Sequence, residues 1–186
     1  MPGTHKTEHS TEWAGTHSAS ELDVMIEEIT DIEKVDLAEI LEESKGLGYG
    51  MIERLIREWK SGETDFSKEN EAYFAFVADG KVVGVGGVNE EPYLKIKEYG
   101  RMRHLYVLKS WRRKGIGSAI VGTTIDFAKK HYILMTLMTP KDGRSDSFYE
   151  GIGFEKCTSL NRVSHTLDLH YNALMPGTHK SAQTIP

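Results

Sequence analysis

The stretch Tyr106–Lys130, YVLKSWRRKGIGSAIVGTTIDFAKK, passes from an apolar strand pattern through a block of cations to two glycines and then a helix. Arg112, Arg113 and Lys114 stand directly before Gly115-Ile116-Gly117, followed by Ser118. A helix start presents N–H groups without intrahelical partners and the positive end of the helix dipole, and both suit phosphate oxygens. Glycine lets a backbone come close to a bulky diphosphate in conformations that cost other residues. Beyond it, Ile116, Ile120, Thr124, Phe127 and Ala128 supply an apolar helix face over Gly115–Lys130. Two phosphate motifs are excluded. There is no G-x-x-x-x-G-K-[ST], and the next glycine after Gly117 is Gly122, so G-x-G-x-x-G is absent as well. Taken alone, the run reads equally well as a cationic loop ending in a flexible turn.

The positive charge is local. Lys and Arg number 23 against 28 Asp and Glu, a net charge of −5, yet Arg101–Lys114 contains six cations and no acid. That balance argues against a general nucleic-acid binder and for a compact anionic ligand. At 186 residues the chain is long enough for one domain with a real core. No apolar run reaches the ~20 residues needed to cross a bilayer, and residues 1–20 show no signal-peptide core, so no membrane partner is expected. The single cysteine, Cys157, forbids an internal disulfide and fits a reducing cytoplasm, with a small buried strand residue as its expected place.

Residues 1–20 are rich in Thr, Ser, His and Gly and read as a loose tail, as do residues 172–186. The hexapeptide MPGTHK occurs at 1–6 and again at 175–180, which reads first as a cloning or recombination scar and second as a short recognition peptide. His5 and His9 lack a fixed third ligand, so no metal site is assigned. The folded domain is expected over 21–171. LDVMIEEIT is a first strand, and Asp31 is placed to cap a helix over IEKVDLAEILEES. A second helix, MIERLIREWKSG, closes at Gly62. EAYFAFVADGKVVGVGGVN is a hairpin turning at Asp79-Gly80, a pair that supplies the positive φ values of a tight turn. Then come a strand in YGRMRHLYVL, the helix from Gly115, a central strand in YILMTLMT, a short helix near 145–151, and strands near 154–158 and 163–171. The order βααβββαβαββ implies an α/β protein with a mixed sheet and helices on its faces.

HLYVLKSWRRKGIGSAIV resembles the acyl-CoA-binding motif of the GNAT superfamily of N-acetyltransferases, whose core [R/Q]-x-x-G-x-[G/A] stands here as Arg112–Gly117. A second family element, F-Y-x-x-x-G-F, stands as Phe148-Tyr149-Glu150-Gly151-Ile152-Gly153-Phe154. The two lie in the family's order, one strand apart, and the resemblance spans about Ile26–Tyr171. It implies a mostly antiparallel central sheet with helices on both faces, and acetyl-CoA as cosubstrate. It places Leu105, Tyr106 and Val107 on the strand that bonds the pantetheine arm. It places the amides of Arg113, Lys114, Gly115, Ile116, Gly117 and Ser118 at the pyrophosphate, with Arg112, Arg113 and Lys114 adding charge. Tyr149 matches the tyrosine that protonates the departing thiolate, and a phenol of ordinary pKa about 10 is protonated at neutral pH.

The implied reaction is direct attack of a primary amine on the thioester, with a small-molecule amine as first choice and a protein amine as second. A homodimer is left open. The alternative is a CoA-binding sensor or interaction module without catalysis. Several positions depart from the family. Arg101 stands where many members carry a glutamate base, Asp142 where an asparagine is frequent, and Ser145 where an alanine is. His104, Glu90, Glu91 and Glu98 are nearby, and no base is assigned. The acids of 41–65 (Glu42, Glu43, Glu53, Glu58, Glu63 and Asp65) would favour a cationic acceptor, and an exposed helix face explains them equally well.

Overall fold

The computed structural model describes residues 23–170. Both tails, the duplicated hexapeptide and the outermost residues of the expected domain lie outside the described residues. The chain runs β1 (Val24–Glu28), α1 (Ala38–Gly46), α2 (Met51–Ser61), β2 (Ala72–Ala78), β3 (Lys81–Glu90), β4 (Tyr99–Val107), α3 (Ile116–Ala128), β5 (Leu134–Leu137), α4 (Asp146–Ile152), β6 (Glu155–Lys156) and β7 (His165–Asp168). These strands form one seven-stranded sheet in the order β1-β2-β3-β4-β5-β7-β6. Only the β4–β5 pairing is parallel; the others are antiparallel. Among the described residues no helix is long and apolar enough to cross a membrane.

The hairpin turns where the sequence places it, with Asp79 at φ 49° and Gly80 at φ 73°. α2 likewise stops against Gly62, which is left-handed at φ 72°. The first helix differs from expectation. Asp31 does cap, accepting from Glu33 N at 3.0 Å, but it caps only a 3-10 turn over Ile32–Lys34. Val35 then returns to extended backbone, and Asp36 accepts from Ala38 N at 3.0 Å to start α1 afresh. Two local side-chain-to-backbone bonds five residues apart split one amphipathic run. Cys157 also differs: it lies just past β6, half-buried, with its Sγ 3.6 Å from Ser159 Oγ. β6 ends after two residues, although Cys157 N still donates to Ser164 O at 2.8 Å.

Helices cover both faces of the sheet. On one, α1 and α2 bury Ile40, Ile52, Leu55 and Trp59 with Tyr73, Ala75, Val85 and Tyr106. On the other, α3 and α4 pack Val121, Ile125 and Ala128 with Val88, Met102, Met135 and Phe154. α3 sits close because β3 presents glycines beneath it. A Cβ at Gly84 would lie 2.9 Å from Ile120 Cδ1, and one at Gly86 2.9 Å from Ile120 Cγ2.

One irregularity shapes the centre of the sheet. The β3–β4 register shifts between Val85 and Gly87, whose partners are Tyr106 and Arg103. Two β4 residues, His104 and Leu105, therefore oppose the single Gly86. His104 takes φ 48°, and its carbonyl accepts from the buried Tyr73 hydroxyl at 3.0 Å. Such a bulge bends its strand and adds twist. On its other side β4 pairs with β5 only over Tyr99–Arg101. From Met102 onward β4 leaves β5, and the sheet opens there.

Candidate active site

The opening exposes backbone that any other interior strand would have paired. Leu108 N donates to Val83 O at 2.9 Å, so Leu108 and Tyr106 turn their peptide groups toward β3. By alternation Leu105 and Val107 turn theirs to the free edge. The Val107 carbonyl accepts from Arg112 Nε at 2.8 Å. No strand among the described residues pairs with this edge beyond Arg101. Tyr106 faces the α1–α2 core, where its hydroxyl donates to Glu43 Oε1 at 2.8 Å. Burial, and then that bond, push its phenol up to about 12.

α3 begins next to this edge. Gly115 is its N-cap at φ 82°, a left-handed conformation that a side chain would make costly. No side chain caps the helix, and its first turn carries no acid. Ile116 is buried and anchors the turn, while Ser118 is exposed. Arg113 and Lys114 are exposed, and Lys114 Nζ stands 4.6 Å from the centre of the Trp111 ring, which packs against the α1–α2 core. Arg112 is turned back. Besides the Val107 carbonyl, it lies over the Tyr106 ring at 5.4 Å and approaches Glu43 Oε1 at 3.9 Å. Of the three cations expected around a pyrophosphate, Arg113 is free of such ties, Lys114 rests on the Trp111 ring, and Arg112 props the strand edge. An uncapped, acid-free helix start beside an unpaired strand edge fits a diphosphate joined to an amide-bearing arm.

α4 reaches the same place from the other side. A Cβ on Gly117 would lie 3.2 Å from Phe148 Cζ and 3.9 Å from Val107 Cγ2. Helix start, open strand and the F-Y element therefore meet. Tyr149 is half-buried, with its ring centre 5.0 Å from that of Phe148, 5.6 Å from Phe154 and 6.4 Å from His165. Its hydroxyl bonds no described residue, and burial holds its pKa above the ordinary phenol value. The phenol therefore stays protonated throughout the neutral range. His165, which the sequence does not single out, is buried beneath it, its Nε2 without a hydrogen-bond partner and 4.0 Å from Glu150 Oε1.

A profile of the acetyltransferase (GNAT) family matches residues 34–154. The chain belongs to the GNAT acetyltransferase family. A crystal structure described as an acetyltransferase from Exiguobacterium sp. 255-15 is similar at 28% identity, covering 82% of this chain and 99% of that one, with a TM-score of 0.73. An N-acetyltransferase from Staphylococcus aureus Mu50 shares 18% identity over 79% of this chain and 99% of its own, at a TM-score of 0.61. A GNAT family N-acetyltransferase from Escherichia coli, solved in complex with CoA, shares 15% identity over 86% of this chain and 88% of its own, at 0.62. At such identities the last two speak to the fold alone. No curated protein matches the sequence.

In this acetyltransferase two of the groups near β4 that chemistry would nominate as bases, Glu91 and His104, are occupied. Arg101 Nη1 bonds the fully buried Glu91 at 2.8 Å, and Glu91 also accepts from Thr136 Oγ1 and from Tyr93 N. His104 Nε2 faces Arg103 Nη2 at 3.2 Å, and because arginine only donates, that nitrogen accepts. Burial, then Arg103 and Arg54, push the His104 imidazole down to about 3. Three acids of the N-terminal helices are engaged as well. Glu43 accepts from Tyr106 and from Lys109 N, Glu53 pairs with Lys45 at 2.8 Å, and Glu58 pairs with Arg54 at 3.1 Å.

Proposed function

We propose that this acetyltransferase moves an acetyl group from acetyl-CoA to a primary amine by direct attack, with a small-molecule amine ahead of a protein amine as acceptor. One observation carries the reading: the unpaired edge of β4 meets the uncapped start of α3, with Tyr149 and Phe148 of α4 beside both. The Escherichia coli neighbour crystallised with CoA supports the choice of ligand. When bound, acetyl-CoA supplies the activated acyl carbon and a thiolate leaving group. The amides of Arg113 through Ser118 hold the pyrophosphate, helped by the charge of Arg113 and Lys114. Leu105 and Val107 present backbone groups to the pantetheine arm, and Arg112 keeps the Val107 carbonyl in place. An N–H of this edge meets the negative charge that develops on the acyl oxygen. Tyr149 gives its proton to the departing sulfur as the C–N bond replaces the C–S bond. The amine must be neutral to attack, and its proton leaves through water; Glu91 and Glu58, the carboxylates buried against β4, are held by arginines.

The test is turnover itself. Acetyl-CoA is incubated with a panel of primary amines, reading free thiol and acetylated amine together. Both products should appear in equal amounts and only when amine is present. CoA binding without acetylated product from any amine would favour the sensor alternative instead.

A further inference from the structure

On the side of β4 facing α2, one carboxylate serves three guanidinium groups. Glu58 Oε1 pairs with Arg54 Nε at 3.1 Å and lies 4.0 Å from Arg57 Nη2, while its Oε2 lies 3.4 Å from Arg103 Nη2. The remaining partners of Arg103 carry no charge to offset it: Asn89 Oδ1 at 3.3 Å and the neutral His104 imidazole. Glu91 adds nothing, because Arg101 already matches it at 2.8 Å. Glu53 also acts on Arg57 across one helix turn, but Lys45 pairs with it at 2.8 Å, so the arginines still outnumber the carboxylates that offset them.

These charges are not equally placed. The Arg103 side chain is 9% exposed, held by long bonds that leave part of its five-donor fork unused. Arg54 is 46% exposed, and its two terminal nitrogens bond no described residue. Arg57 is 68% exposed, with Glu58 as its nearest acid. A helix pair such as Arg54–Glu58 is by itself an ordinary surface contact of small worth. It does not account for a buried arginine beside it that shares one carboxylate with two others, since burying a half-compensated cation is costly. Arginine forks match carboxylate and phosphate oxygens two at a time. Arg103 is also two positions from Leu105, across the bulge at His104, and Leu105 opens onto the reaction edge.

We propose that the acceptor is an amine carrying an oxyanion, carboxylate or phosphate, which docks on Arg54 and Arg57 in front of Arg103 and brings its amino group to the edge at Leu105. The proposal rests on the acetyl-transfer reading and narrows its substrate. It also reverses the sense of the acidic 41–65 segment, because the acids that reach β4 are already neutralised and arginines are left over.

Matched pairs of acceptors test it: amino acids against their carboxamides, and phosphoethanolamine against ethanolamine, each with acetyl-CoA. The acid member should exceed its neutral partner in kcat/KM by at least about tenfold. In Arg54→Gln and in Arg57→Gln, both exposed helix positions, that ratio should fall toward one. Whichever pair shows the larger ratio identifies the oxyanion. Neutral amines used as well as the acids would overturn the proposal and leave acetyl transfer standing. If no amine is turned over, acetyl transfer fails, and calorimetric titration of the CoA-bound protein with the same pairs decides separately. Acids must then bind more tightly than their neutral partners, and equal binding overturns the proposal.

Discussion

In the proposed reaction a single oxygen atom separates Tyr149 from an inert side chain. Tyr149→Phe keeps the ring and its contacts with Phe148 and Phe154. CoA affinity should therefore be unchanged, while the transfer step measured by stopped flow falls by about 10²- to 10⁴-fold. An unchanged chemical rate would reduce Tyr149 to packing. His104 gives a pH effect of definite sign. Its native pKa is about 3, against 6.5 when unfolded, so between these values the unfolded chain binds a proton that the native chain refuses. Its contribution to stability is present above pH 6.5 and is lost as the pH falls toward 3. Asparagine tolerates positive φ and can accept from Arg103, so His104→Asn should flatten the acid limb of the stability profile. Urea melts from pH 7 down to pH 4 read this directly, and an equally steep decline in the variant would contradict the assignment.

α3 is the element on which cofactor binding turns. Gly117→Glu sets a carboxylate into its first turn and a side chain against Phe148, whose Cζ lies 3.2 Å from the added Cβ. The variant should fold, by circular dichroism, and lose the rise in melting temperature that acetyl-CoA gives the parent protein. A folded variant that keeps the full rise would show that the phosphates bind elsewhere. This element was legible in the sequence because its determinants are local: cations, Gly115 and Gly117, and an apolar face within 25 residues. The Asp79-Gly80 hairpin was legible for the same reason. The break before α1 has no periodic signal, because Asp31 and Asp36 each bind the backbone two residues on and periodicity alone does not choose between them. The bulge at His104 has no local signal. It is held by Tyr73, 31 positions away, just as the Arg103–Glu58 contact joins residues 45 apart. The family motif could locate Tyr149 and the β4 strand, but the charge around them depends on such long-range pairs.

Across the whole molecule, β4 belongs to two different environments. Its first three residues close the sheet against β5, and its remaining length is bonded on the β3 side only. Cores on both faces hold this split open: Tyr106 packs among α1 and α2, and Met102 among α3 and its neighbours. In the proposed complex acetyl-CoA fills the split as the missing strand and ends on the α3 turn. Hydrogen exchange of the full chain, with and without acetyl-CoA, measures this peptide by peptide. Protection gained on binding should concentrate in residues 105–107 and 113–118. Protection confined to other segments, with these amides exchanging as fast as in the free protein, would contradict it.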